Sequence, residues 1–274
     1  MYWGREIVIA CIQTNDCLAR LLQMQWYVYL LAILAGALAG VINTLAGSGS
    51  LVTLPMLVFL GLPADVANGT NRVGVLLQNV VGIFVFRRSG SFEPTGSSWL
   101  VAPSVAGALL GAWIATILDK SAMEIAIGIV MVVMLVVLIS NPKRWLREQS
   151  EVAPGRPGWG MLVLFFGIGI YGGFIQAGVG VLLLSALVLA SGYTLNHANM
   201  IKLVIVLLMA LIAIPLFMIN SQIDWGLGAL MAIGQGIGAW LAANYATRVP
   251  NANVWVRRLL IVIVLISIAR FLLF

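Results

Sequence analysis

Apolar residues run along this chain in helix-length blocks, and the interruptions between the blocks carry most of the information. From Trp26 onward the pattern predicts ten hydrophobic segments. The first five cover roughly 26–43, 50–60, 66–86, 97–117 and 122–140, and the second five 159–177, 179–191, 197–219, 225–246 and 254–273. Most approach the roughly 20 residues that cross about 30 Å of hydrocarbon as a helix. They do not alternate over about ten residues, as an outer-membrane barrel strand must. The expected fold is therefore all-α, a polytopic helical membrane protein. The second segment of each group, 50–60 and 179–191, is too short to span and follows a glycine-rich interruption. Each is expected to be a short broken or re-entrant helix. Lipid offers no hydrogen bonds, so irregular backbone at membrane depth survives only inside protein or against a wet cavity.

The two groups of segments can be laid on each other. Gly47, Gly49 and Gly61 match Gly178, Gly180 and Gly192 at one constant offset, and Ala67-Asn68 matches Ala198-Asn199 at the same offset. With a small gap, Gly107-x-x-x-Gly111-Ala112-Trp113 matches Gly234-x-x-x-Gly238-Ala239-Trp240. An ordered series of this kind predicts two related repeats, 26–140 and 159–274, joined by the polar linker 141–158 (NPKRWLREQSEVAPGRPG). The GxxxG pairs themselves read as helix-packing surfaces. Residues 1–25 form an N-terminal extension that fits the pattern poorly, since Arg5, Glu6, Asp16 and Arg20 interrupt it. It reads as a weakly structured segment or as an upstream start ahead of Met24.

Composition agrees with the pattern. Of 274 residues 62% are hydrophobic and 9% charged, with a mean hydropathy of +1.06. A soluble domain carries roughly 25% charged residues. The net charge of +6 does not imply nucleic acid, because most Arg and Lys sit in short clusters between apolar runs. Arg87 and Arg88 follow the third segment, and Lys143, Arg144, Arg147 and Arg156 follow the fifth. Arg248, Arg257 and Arg258 follow the ninth, while the loop 220–224 has no cation. With cation-rich loops in the cytoplasm, equivalent loops of the two repeats fall on opposite sides. The repeats are then inverted, with both chain ends outside and the linker cytoplasmic. Inverted repeats with broken helices near the midplane are a recurrent plan of secondary transporters. Cys11 and Cys17 lie in the extension without a metal or redox motif around them.

Candidate chemistry concentrates at the two breaks. Asn43, Thr44, Gly47, Ser48 and Gly49 supply an amide, hydroxyls and exposed backbone, and the following half-helix points its N-terminus into the break. Such an arrangement suits an anion. The second break supplies Gln176, Gly178 and Gly180. Arg72 closes the run Asn68-Gly69-Thr70-Asn71-Arg72, and Lys202 follows Asn199 at a position that aligns with Asn71. A charge within a span costs several kcal/mol and faces a cavity or partner, or else its stem snorkels to the interface; both alternatives stand for each cation. His197 could carry a proton near neutral pH or sit at the interface without a role. Asp65 is expected to N-cap the third segment. Most other acids fall in loops or in the extension. No acid–histidine set has metal spacing, and neither a Ser/His/Asp set nor a Walker loop is present, so neither an enzyme nor an ATP-driven pump is expected. No metal or cofactor is expected.

The stretches 39–72 and 171–202 resemble the sulfite exporter TauE/SafE family of bacterial membrane permeases. The family's N-T-x-x-G-x-G-S break, short-helix proline and A-N-x-T-N motif are matched by Asn43-Thr44, Gly47, Gly49-Ser50, Pro55 and Ala67 to Asn71. Gly172-Gly173 and Gly178-Val179-Gly180 match the second-half pattern, with Gln176 where a small residue is common. The resemblance implies a permease of the bacterial inner membrane for small sulfur-containing anions such as sulfite, thiosulfate or organosulfonates. Its partners would be that anion and the lipid bilayer. Another small solute, such as an amino acid or carboxylate, and a non-transporting assembly subunit are the alternative readings.

Overall fold

The structure is a computed structural model that describes residues 26–88, 98–140, 158–245 and 252–273. The N-terminal extension, both cysteines, the linker cations and Arg248 lie outside the described residues. Among the described residues the chain forms ten helices. The first five are α1 (Trp26–Ala46), α2 (Ser50–Phe59), α3 (Ala64–Arg88), α4 (Ser98–Ile117) and α5 (Lys120–Ser140). They are followed by α6 (Trp159–Phe174), α7 (Val179–Ser185, extended by a π-helical turn Ala186–Ala190), α8 (Leu195–Ile219), α9 (Trp225–Tyr245) and α10 (Ala252–Leu273). Six of them are long and apolar enough to cross a membrane: α1, α3, α4, α5, α8 and α9. The protein is a multi-pass helical membrane protein, as the hydrophobic pattern predicts. Apolar side chains such as Phe84, Ile125 and Val163 are exposed on the outer surface, where lipid replaces water. Trp99, Trp159 and Trp225 stand at helix starts and are exposed, suited to the headgroup level.

Differences from the expected bounds are small but informative. α1 continues through Ala46, so Asn43 and Thr44 belong to its last turns and the first break is only Gly47–Gly49. Thr44 confirms the helical register by donating its hydroxyl to the Gly40 carbonyl at 2.9 Å. Asp65 is not an N-cap. α3 begins at Ala64, and Ala67 N–H already bonds the Pro63 carbonyl at 2.8 Å. Asp65 is instead a first-turn acid, which favours the helix dipole. Arg257 and Arg258 fall inside α10 rather than in the loop before it.

Four glycines have positive φ among the described residues: Gly47 at 74°, Gly61 at 96°, Gly178 at 75° and Gly192 at 75°. They form two pairs at the offset seen in the sequence. Gly47 and Gly178 open the two half-helices, and Gly61 and Gly192 lie just beyond their ends. After α2, the Leu62 N–H reaches back to the Leu57 carbonyl at 3.1 Å and the Gly61 N–H to Val58 at 3.0 Å. This left-handed stop releases the chain into α3.

Helix packing is reciprocal between the halves. α9 packs along α1, and α4 packs along α6. The GxxxG glycines make this approach possible: a Cβ on Gly238 would lie 2.8 Å from the Ala37 carbonyl carbon, and one on Gly111 2.8 Å from the Phe174 nitrogen. Each GxxxG helix thus clasps the broken helix of the other half. Replacing Gly238 by Val should separate α9 from α1 and cost about 1–3 kcal/mol. Gly128, with no atom within 4 Å of its would-be Cβ, should accept Ala within about 0.5 kcal/mol. Thermal unfolding of the detergent-solubilised protein, followed by size-exclusion chromatography, separates the two; equal losses would contradict the packing role.

Candidate functional site

The two breaks meet. A Cβ on Gly47 would sit 2.7 Å from the Gly180 carbonyl carbon, and a Cβ on Gly180 2.8 Å from the Gly47 Cα. Backbone therefore touches backbone where α1 ends and where α7 begins. Ser48 and Gln176 flank this contact; both are buried, and neither Ser48 Oγ nor either end of the Gln176 amide has a partner among the described residues. The helix starts are less open than the sequence suggests. Leu51 and Val52 N–H groups turn onto the Ser48 and Gly49 carbonyls at 3.0 and 2.9 Å, and Gly49 N–H reaches Asn43 Oδ1 at 3.4 Å. In the second break Val179 and Val181 do likewise onto Gln176 and Gly178, at 3.3 and 3.0 Å. These first-turn donors are committed locally, so side chains carry most of the remaining polar capacity.

Both candidate cations are fully buried, Arg72 at 0% and Lys202 at 1% exposure, which rules out snorkelling. Their backbone partners are the carbonyls of a broken helix, in each case the helix of the other half. Lys202 Nζ, on α8, donates to the Asn43 carbonyl at 3.1 Å and to Asn199 Oδ1 at 2.6 Å. Asn199 Nδ2 donates in turn to the Thr44 carbonyl at 3.4 Å. Arg72, on α3, donates from Nη1 to Gly172 at 3.4 Å and from Nη2 to Gly173 and, at 3.3 Å, to Phe174. Asn68 Nδ2 adds a bond to the Phe174 carbonyl at 2.8 Å. An Asn and a cation on one helix thus cap the C-terminus of α1, and an Asn and a cation on another cap that of α6. The reason is local: a helix broken inside the bilayer leaves its last carbonyls without donors, and its C-terminus carries partial negative charge. Arg72 also lies over the Phe217 ring, 4.6 Å from its centroid. Neither cation is paired with a carboxylate among the described residues.

Asn71 has a different partner: Thr53, on α2, donates its hydroxyl to Asn71 Oδ1, leaving Asn71 Nδ2 unpartnered. His197 stands apart, in the first turn of α8, its ring nitrogen Nδ1 2.9 Å from the N-cap hydroxyl of Thr194. The predicted residues therefore fall into one connected region around the breaks, with two cross-caps at its sides. Gln78, Asn79 and Gln235 were not anticipated. All three are at most 1% exposed and keep unpartnered polar atoms. Their signal was present as amides inside otherwise apolar runs, at VLLQNVVG and AIGQGIG, but the glycines flanking Gln235 read as a packing motif.

A polytopic helical bundle whose broken helices meet around buried cations has the architecture of a membrane transporter. A family model described as sulfite exporter TauE/SafE matches residues 32–271. The chain belongs to this family. It is 26% identical over 221 residues, 80% of this chain and 84% of the other, to a probable membrane transporter protein, ORF9, of a Sinorhizobium species. A probable membrane transporter protein of Haemophilus influenzae is 27% identical over 217 residues, covering 78% and 84% of the two chains. The probable membrane transporter protein YfcA of Escherichia coli K12 is 22% identical over 209 residues, 76% of each chain. No solved structure matches the chain.

Proposed function

We propose that this transporter is a secondary permease of the bacterial inner membrane for small anions, most directly sulfur oxyanions or organosulfonates. It works by alternating access around a site where the two breaks meet. The observation that carries the reading is a pair of buried cations, Arg72 and Lys202, beside contacting breaks and without a carboxylate partner among the described residues. Positive charge in a low-dielectric interior, met by no carboxylate among the described residues and only by helix carbonyls and an amide oxygen, gives a potential that favours an anion and opposes a cation. The reciprocal capping supports two inverted repeats that hold each other's broken helices, and rocking one against the other would expose the site to alternate sides. The named groups are closed to solvent, as an occluded intermediate of such a cycle requires. No bond-making chemistry enters this reading, and the chain acts as a carrier rather than an enzyme.

The test is flux in proteoliposomes of purified protein, against sulfite, thiosulfate, sulfate, sulfonates, carboxylates and amino acids, with and without a pH gradient. Saturable movement of at least one sulfur oxyanion or sulfonate is expected. Movement of only zwitterionic amino acids or carboxylates, or of no solute in the panel, would overturn the assignment. Dependence of the flux on the pH gradient would extend the reading to proton coupling.

A further inference from the structure

Resting on the anion-permease reading, we infer that the transported anion is contacted by the side-chain amides of Gln78 and Gln235, where α9 meets α3 beside Gly74. Arg72 and Lys202 stand one layer behind and act through their potential.

Gly74 has no side chain because Gln235 occupies that space: a Cβ there would come within 2.8 Å of Gln235 Cδ, and closer still to its Nε2. The backbone of Gln235 is meanwhile pressed against α1, its nitrogen 3.2 Å from a would-be Cβ on Gly36. Its side chain is thus held between α1 and α3 and aimed at α3. Along α3, Asn71, Gly74 and Gln78 are three and four residues apart, so they share one face. Helical side chains lean toward the N-terminus, which carries Gln78 back toward the level of Gly74. The unpartnered polar atoms along this side include Asn68 Oδ1, Asn71 Nδ2, both ends of the Gln78 amide and Gln235 Nε2, with Arg72 Nε beside them. Gln78, Gln235 and Asn71 are each 1% exposed.

Leaving a buried amide unpartnered costs about 1–3 kcal/mol, and packing alone does not require it here. At the offset that pairs the half-helix glycines, Gln78 and Asn79 correspond to Met209 and Ala210, both buried and apolar. In the GxxxGAW alignment Gln235 corresponds to Ala108, also fully buried. The equivalent side of the molecule, where α8 packs on α4, is therefore built without amides at these positions. The α3–α9 side carries them, and the hydrogen bonds of Arg72, also on α3, go to the carbonyls at the end of α6 rather than to these amides. Amide N–H groups facing a region of positive potential suit a small oxyanion whose oxygens accept several bonds at once. The Gln78 carbonyl can take a proton donor of the same ligand.

The test uses Gln78→Met and Gln235→Met, which keep volume and remove hydrogen bonding. In proteoliposomes the KM for an anion that the wild type transports (thiosulfate or sulfite as probe) is expected to rise about tenfold, the effect of one lost bond to a charged ligand. The melting temperature of each variant should stay level or rise, because an orphaned amide is replaced by an apolar group. A merely structural role makes the opposite prediction, a fall in melting temperature with KM unchanged, and that result would overturn the inference while leaving the permease reading standing. An unchanged KM in both variants would do the same. Absence of any anion flux in the wild type would remove the permease reading itself, and this inference with it.

Discussion

Arg72→Gln should cut anion flux by about a hundredfold and destabilise the folded protein by about 3 kcal/mol. Three carbonyls at the end of α6, those of Gly172, Gly173 and Phe174, accept from the Arg72 guanidinium. Because α6 ends at Phe174, no following helical turn supplies donors for them. A glutamine is too short and too poor in donors to serve all three, and it gives up the stacking over Phe217. A charge-assisted bond is worth about 1.5–3 kcal/mol, and an orphaned carbonyl adds a desolvation cost. Arg72→Lys separates the two roles of the residue. It keeps the positive charge but replaces a planar fork by a point donor. Flux should recover in part, since the potential is restored, while the melting temperature should remain low, since the fan of carbonyls is not. Lys202→Met should reproduce the loss on the other side, where Asn43 and Asn199 would lose their shared donor. Flux at the wild-type rate in both Arg72→Gln and Lys202→Met would end the electrostatic account of the site.

The second large effect is expected at the contact between the breaks. Gly180 lies within a helix and does not have positive φ, so alanine is conformationally welcome there. Its Cβ, however, would lie 2.8 Å from both the Cα and the carbonyl carbon of Gly47, and nearer still to the carbonyl oxygen. Backbone cannot yield as a flexible side chain can, and the two breaks must move apart. Gly180→Ala should therefore lower flux by about tenfold or more while costing about 1–3 kcal/mol of stability. Gly47→Ala should be worse, adding about 1–2 kcal/mol for its left-handed backbone. Gly61→Ala is the matched control. Its φ of 96° brings the backbone penalty, but no atom lies within 4 Å of a new Cβ. It should lose stability and keep its transport rate per folded molecule. If Gly61→Ala and Gly180→Ala impaired flux equally, the contact between the breaks would have no special part in transport.

Much of this architecture was legible in the residues. Hydropathy placed all ten helices to within a few positions, because in lipid an apolar run of helical length has no alternative to forming a helix. Glycine placed the half-helices, since a left-handed stop or start in an L-chain is sterically expensive for other residues. The errors were local competitions. Asp65 reads as a cap but sits two positions too far along, because the chain turns helical directly after Pro63. Asn43 and Thr44 read as break residues but remain helical, with the Thr44 hydroxyl bonded to the preceding turn.

The sequence by itself determined the membrane class, the positions of the breaks and the pairing of their glycines, all properties of short stretches and of repetition. Only the tertiary structure decided what the buried cations do. Periodicity tells which face of α3 carries Arg72, but not that this face meets the end of α6. Nor could it tell that Gln235 of α9 enters beside Gly74 while Lys202 crosses to the end of α1. These are meetings of helices remote in the chain, set by how the two halves clasp each other. A carbonyl released by a helix break is the same in any sequence; which donor reaches it is decided by packing alone.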